Sequence, residues 1–339
     1  MLSAFCSKPG EIELRDTPRP VAGAGNALVQ VHNCGICGSD LHYYSGMLPA
    51  PAFCPGHEIS GEVIEVGAGV ADLRPGDRVA VEPIITCGRC AGCRVGDYQL
   101  CRDYKILGTH VPGGFAEIVE LPAYALFKLP ASIDWAVGAL TEPLAVGIHG
   151  VRLGDVRLGD RVLVLGAGTI GLLAALAARE AGAAEVLITA RHAHQREAAQ
   201  RLGLKPFAEG SDELASDLFG HPADVTIETV GGEADTLNQA IFSTRPGGNV
   251  VVLGVFAGSA PMNALVLMLK EIRLIGSLMY GRRGQRADFE VAIDVLERNR
   301  DAVAGLVTHR FPLRDIGEGY RTAADKAKKS IKVTIEPGK

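Results

Sequence analysis

Residues 161–171 constrain the fold more than any other stretch of this chain. Arg161-Val162-Leu163-Val164-Leu165 is a continuous apolar strand, the pattern expected where both faces of a sheet are covered. Gly166-Ala167-Gly168-Thr169-Ile170-Gly171 follows at once, and then an Ala/Leu-rich helix to about Gly182. Further strands are predicted at Glu185–Thr189, Ala223–Glu228 and Asn249–Leu253, with a helix at Gln195–Leu202 between the first two. Strands alternating with helices imply an α/β fold with a doubly wound parallel sheet.

The glycine spacing also points to a ligand. Gly166 makes the tight turn, Gly168 lets a pyrophosphate approach the backbone, and Gly171 lets helix and strand pack closely. The helix N-terminus, at Thr169 and Ile170, then offers free N–H groups to phosphate. A dinucleotide is the expected ligand, and Gly254, after the strand Asn249–Leu253, joins the candidate contacts. An NAD site places Asp or Glu at the end of the second strand, where this chain has Ala190. A small neutral residue does not repel a 2′-phosphate, and Arg191 can pair with one through two parallel N–H bonds, helped by His192 and Arg196. NADP(H) is therefore expected over NAD(H).

Cys87, Cys90, Cys93 and Cys101 place four thiols within fifteen residues. Zn²⁺ takes four such ligands in a tetrahedron, at ~2.3 Å, and a site with no open position is structural. A disulfide pair suits an oxidising compartment, whereas the rest of the chain reads as intracellular. A ferredoxin-type cluster would need a last gap of three and a following Pro, but the gap here is seven and Arg102 follows. A nucleic-acid-binding zinc ribbon would need a basic surface, but the formal net charge is −5.

At 339 residues the chain is long enough for two domains, and with 47% hydrophobic and 22% charged residues it is of ordinary globular composition. Met1–Phe5 does not read as the start of a signal peptide, and no apolar run reaches the ~20 residues that span a bilayer. The cytoplasm is the expected compartment, with neither membrane nor nucleic acid as partner. The first ~145 residues read as short Val/Ile-rich strands such as Ala27–His32, Ile59–Val66 and Arg78–Val81. Gly76-Asp77-Arg78-Val79 and Gly159-Asp160-Arg161-Val162 read as two similar turns into strands. Beyond Gly276, Asp288–Asn299 is an amphipathic helix, Ile331–Ile335 a last strand, and the basic run Arg282–Arg286 a solvated loop. Cys6, Cys34 and Cys54 read as packing residues.

Two more motifs carry metal-ligand chemistry: Cys37-Gly38-Ser39-Asp40-Leu41-His42 and Gly56-His57-Glu58. Thiolate and imidazole together suit Zn²⁺, while Glu58 and Glu142, in Thr141-Glu142-Pro143-Leu144, offer carboxylates. With the cysteine and glycine loops, and with Leu306–Pro312, these motifs resemble the zinc-dependent medium-chain alcohol dehydrogenases, nearest the sorbitol (polyol) dehydrogenase branch, over nearly the whole chain.

That resemblance implies a GroES-like irregular β-barrel catalytic domain over residues 1–146 with the structural zinc loop at 87–101. It further implies a Rossmann domain over 147–275 and a return segment over 276–339, with the active site at the domain boundary. It implies two zinc ions per chain, the catalytic one held by Cys37 and His57, with Glu58, Glu142 or both, and a water completing the site. The alcohol dehydrogenases proper carry a cysteine where this chain has Glu142, and the exchange leaves the zinc more electrophilic. Zinc would lower the pKa of a bound alcohol. Ser39 resembles the hydroxyl that takes the proton and His42 the relay to solvent. Asp40 would anchor the loop or another ligand from behind.

Tyr43 and Tyr280 match positions that contact substrate in sorbitol dehydrogenases, but Met279 stands where that branch commonly has an arginine. Met gives apolar contact and no strong donor, so a plainer secondary alcohol or ketone competes with a polyol as substrate. Oxidation of threonine or of another amino- or sugar-acid alcohol with NAD is a further alternative, and a non-catalytic NADPH-binding zinc protein is the alternative from another class. A homo-oligomer, tetramer or dimer, is expected from the resemblance.

Overall fold

The computed structural model describes residues 1–256 and 258–338. They fall into two units, Met1–Glu142 with Gly281–Lys339, and Pro143–Tyr280.

In the second unit, six parallel strands form one sheet, in the order Lys205–Ala208, Glu185–Ala190, Arg161–Leu165, Ala223–Glu228, Thr244–Val252, Arg273–Gly276. The chain leaves Arg161–Leu165 toward one neighbour and later returns to the other. The strand order therefore reverses there, and in open α/β sheets such a reversal is where ligands bind, beyond the strands' carboxyl ends. The helix Thr169–Glu180 buries every residue from Gly171 to Ala178, as its unbroken Ala/Leu run requires. Leu163, Leu165, Leu187, Val250, Leu237 and Ile241 share a core, each worth about 1.5–3 kcal/mol of apolar burial.

The first unit is built around a seven-stranded sheet. Val307–Pro312, Lys332–Glu336, Asn26–Gly35, Glu58–Val66, Arg78–Val81 and Leu126–Lys128 follow one another, and Ile118–Pro122 also pairs with Asn26–Gly35. Lys332–Glu336 lies parallel to Val307–Pro312 and antiparallel to Asn26–Gly35, so the chain's last strand sits inside the sheet made by its first third. Lys332 to Ile335 are all buried in consequence. Cys6, Cys34 and Cys54 are buried free thiols, in keeping with packing roles.

The two Gly-Asp-Arg-Val phrases do fold alike. The Asp77 carboxylate accepts from the Arg74 N–H at 3.0 Å and the Asp160 carboxylate from the Arg157 N–H at 2.8 Å, each closing a turn before a strand. The basic run at 282–286 is exposed, as expected, but it is paired instead of being an irregular loop. Arg282–Arg283 and Arg286–Ala287 form a small antiparallel hairpin, and Arg286 is paired with Asp294 at 2.7 Å. The helix after it runs from Asp288 to Ala304, five residues past the expected end. Asn299 bonds back to the Val295 carbonyl at 2.9 Å, so it sits inside the helix and does not end it.

The four-cysteine segment is docked onto this unit by a buried acid. Tyr98 donates to Glu82, which is 5% exposed, and the Arg282 N–H bonds the Gly96 carbonyl at 3.3 Å. Burial pushes the Glu82 carboxyl up to about 7, despite the Tyr98 hydrogen bond and nearby Arg282, with Asp288 and Glu290 adding to the rise. The folded pKa lies above the unfolded one, so the stabilising contribution is full below about pH 4.5 and is lost as pH rises through 7. Glu82→Gln keeps the Tyr98 hydrogen bond and has no charge to bury. Its melting temperature should exceed that of the parent at pH 8 and match it near pH 4, in thermal melts across that range.

Candidate metal centre and nucleotide site

Two groups of ligating side chains converge in the first unit. The ligand atoms of Cys87, Cys90, Cys93 and Cys101 all lie within 4.8 Å of one another, as do those of Cys37, His57 and Glu58. In the first group the turn helix Ala91–Val95 brings Cys90 and Cys93 to an Sγ–Sγ distance of 3.4 Å. The Cys93 backbone N–H leads in holding the Cys90 thiol down at about 6, and N–H groups of Arg89 and Cys90 lower Cys87, whereas burial and the neighbouring thiols push Cys93 up to about 11. Four soft donors with a spacing this small fit zinc.

The second group is assembled from three parts of the chain. Cys37 caps the helix Gly38–Ser45 at its positive end, with its own N–H bonded to the Asp40 carboxylate at 2.8 Å. His57 follows Gly56, whose φ of +95° turns the chain just before the strand Glu58–Val66. Glu58 is 1% exposed, and Lys332 meets it with Nζ–O distances of 2.6 and 2.7 Å while also donating to the Ile36 carbonyl at 3.0 Å. That ammonium thus has three acceptors for its three protons.

Negative charge gathers around His57. Burial alone would lower its pKa, but Cys37, Asp40 and Glu142 outweigh that and hold it well above the ordinary imidazole value. A divalent cation answers the same field, and one thiolate, one imidazole and a carboxylate form a zinc-competent set. Glu142 lies outside the three-residue cluster, buried in the first turn of the helix Thr141–Leu153. Burial raises its carboxyl to about 7, opposed by His57 and Lys332 and assisted by Glu58 and Asp40. Ser39 and His42 are half-buried and one turn apart on the helix Gly38–Ser45. Tyr43 lies on the same helix, with its hydroxyl 3.2 Å from the Thr109 hydroxyl. Met279 and Tyr280 belong to the second unit, Met279 with a φ of +51° and Tyr280 fully buried.

The glycine loop leaves the strand Arg161–Leu165 at the point of strand reversal. Gly166 has a φ of +97°, its N–H bonds the Thr189 hydroxyl at 2.9 Å, and Thr229 donates to the Leu165 carbonyl at 2.7 Å. A Cβ on Gly171 would lie 1.8 Å from the Gly166 carbonyl oxygen, whereas one on Gly168 would meet nothing within 4 Å. Gly254 is crowded too, with the Glu228 carboxylate 2.3 Å from its Cβ position. Ala190 ends its strand fully buried, His192 caps the helix Ala193–Arg201, and Arg196 donates to the Ala190 carbonyl at 3.3 Å. Arg191 is engaged by Glu209.

Three residues escaped the sequence reading: Lys332, Glu209 and Glu228. Glu228 is fully buried and accepts from the N–H groups of Val230 and Gly231 and from the Thr236 hydroxyl, at 2.7, 2.9 and 2.7 Å. It fixes the loop beside Gly166. A lysine within Ile331-Lys332-Val333-Thr334-Ile335 was the one available signal, because a cation in an all-buried strand needs a partner.

The alcohol dehydrogenase GroES-like domain family matches residues 23–131, and the zinc-binding dehydrogenase family matches residues 169–298. The chain belongs to the zinc-dependent alcohol dehydrogenases and is an oxidoreductase. It is 35% identical to sorbitol dehydrogenase of Homo sapiens over 334 residues, 95% of this chain and 92% of that one. Among solved structures it resembles a Sinorhizobium meliloti protein described as a zinc-binding dehydrogenase and bound to NADP, with a TM-score of 0.89, 32% identity and 99% of each chain covered. It also resembles 2R,3R-butanediol dehydrogenase of Bacillus subtilis, with a TM-score of 0.86, 30% identity and 99% of each chain covered. The mixed architecture, a GroES-like unit with a parallel Rossmann sheet, agrees with the fold read from the sequence. Among the described residues no helix is long and apolar enough to cross a membrane.

The two crowding distances separate two kinds of glycine. Gly171→Ala should cost about 1–3 kcal/mol in urea melts through backbone displacement. Gly168→Ala has open space and a φ of −76°, so its stability should stay within ~0.5 kcal/mol of the parent while NADPH binding weakens at least tenfold in a fluorescence titration. Equal stability loss in both variants would remove the ligand reason for Gly168.

Proposed function

We propose that this dehydrogenase interconverts a polyol or a plainer secondary alcohol and the corresponding ketone, with NADP(H) preferred to NAD(H). The observation that carries the reading is the convergence of Cys37, His57 and Glu58 within 4.8 Å, beside a buried Glu142. Cys37, His57 and Glu58 would hold the catalytic zinc, and Cys87, Cys90, Cys93 and Cys101 the structural one. Zinc supplies Lewis acidity and the nicotinamide nucleotide supplies the hydride acceptor.

The chain's own residues handle the proton. Ser39 takes it from the substrate hydroxyl and His42, one helical turn on, passes it to solvent. Glu142, a buried carboxyl beside the ligands, is placed to hold or release a proton there. Asp40 orients Cys37 from behind through the backbone hydrogen bond. Residues 1–142 with 281–339 supply this chemistry, and residues 143–280 hold the nucleotide through Gly166, Gly168, Thr169, Ile170, Gly171 and Gly254.

Support for NADP(H) comes from Ala190, buried and neutral, with Arg191, His192 and Arg196 clustered after it. Met47, Leu48 and Phe53, all exposed just beyond the helix that carries Ser39 and His42, and a Tyr43 hydroxyl already engaged by Thr109, favour a substrate with few hydroxyls. A homo-oligomer is supported by the edge strand Arg273–Gly276. Leu265, Met268, Leu269 and Leu274 are exposed on or just before it, which a second copy would cover.

Cys37→Ala tests the centre. The variant should fold, drop from about two zinc ions per chain to about one, and lose turnover of secondary alcohols by roughly 10³-fold or more. Turnover within a few-fold of the parent would contradict a catalytic zinc at Cys37.

A further inference from the structure

Arg191, the residue placed for a 2′-phosphate, already has a partner. The strands Glu185–Ala190 and Lys205–Ala208 run parallel with Ala190 opposite Ala208, so the residues that follow them, Arg191 and Glu209, emerge side by side. The Glu209 carboxylate accepts from Arg191 Nε at 2.8 Å and from Nη2 at 3.3 Å. The Arg191 side chain is 67% exposed and that of Glu209 is 32% exposed, so solvent and ligand can reach the pair. The second strand's end thus carries no acid, but its neighbour's end does.

We propose that Glu209 sets nucleotide discrimination: it is a built-in counter-ion that occupies Arg191 until a 2′-phosphate displaces it, and so narrows the preference for NADP(H) over NAD(H). This deepens the cofactor reading above and rests on it. An exposed ion pair shifts an equilibrium by no more than about fivefold, so it can be exchanged. A 2′-phosphate brings more charge and three acceptor oxygens to the same guanidinium, and wins the exchange. Glu209 still acts against binding twice over, by competing for Arg191 and by repelling the phosphate. A 2′-hydroxyl neither needs Arg191 nor meets that repulsion.

The test uses 2′,5′-ADP and 5′-AMP, which differ by the 2′-phosphate alone, titrated calorimetrically into the zinc-loaded full chain. The proteins are the parent, Glu209→Gln, Arg191→Leu and the double variant, and Glu209 is partly exposed, so the fold tolerates the change. Glu209→Gln should tighten 2′,5′-ADP roughly three- to tenfold and leave 5′-AMP within twofold. In the Arg191→Leu background the same change should give a smaller gain, because only repulsion is left to remove. If the parent prefers 2′,5′-ADP and Glu209→Gln changes nothing, or tightens both ligands equally, the role of Glu209 is overturned and the cofactor reading stands. If no protein in the set distinguishes the two ligands, both fall together.

Discussion

The first unit depends on a buried ion pair between residues 274 positions apart, Glu58 and Lys332. Both are almost fully buried, at 1% and 3% exposure, and a lone charge there would cost several kcal/mol. Each therefore requires the other. Glu58 opens the strand next to His57, and Lys332 opens the chain's last strand, so the pair pins the carboxyl-terminal return to the ligand cluster. It also explains how Cys37, Asp40, Glu58 and Glu142 can share a small volume. One lysine neutralises one acid, His57 answers part of the rest, and the remaining negative charge favours a divalent cation.

A different constraint organises the second unit. Three of its central strands, Arg161–Leu165, Glu185–Ala190 and Ala223–Glu228, are buried on both faces, and function moves to the strand ends. Thr189, Thr229 and Glu228 all work there, tying the glycine loop and its neighbours by hydrogen bonds to backbone. The crowding at Gly171 and the open space at Gly168 show a loop that is packed on its protein side and clear on the other.

Local patterns were legible in the sequence. The cysteine spacing, the strand–glycine–helix run and the Val/Ile strands each depend on neighbours within about fifteen residues, and the structure places them as read. Long-range partnerships were not. Nothing near Arg191 announces Glu209, because their contact is made by strand pairing, and nothing near Glu58 announces Lys332. The basic run at 282–286 read as a loop because short hairpins leave little periodicity, and the ion pair that Arg286 makes is with Asp294 in the following helix. Separating Glu58 from Glu142 also required coordinates, since both are buried acids and proximity to Cys37 and His57 alone tells them apart.

Zinc K-edge X-ray absorption on the fully metal-loaded chain tests the central claim most directly. One all-cysteine site and one site with a single sulfur should average about 2.5 sulfur ligands per zinc, the mean of four and one, at about two zinc ions per chain. An average near four sulfurs at about one zinc per chain would mean that Cys37, His57 and Glu58 hold no metal, and would contradict the account.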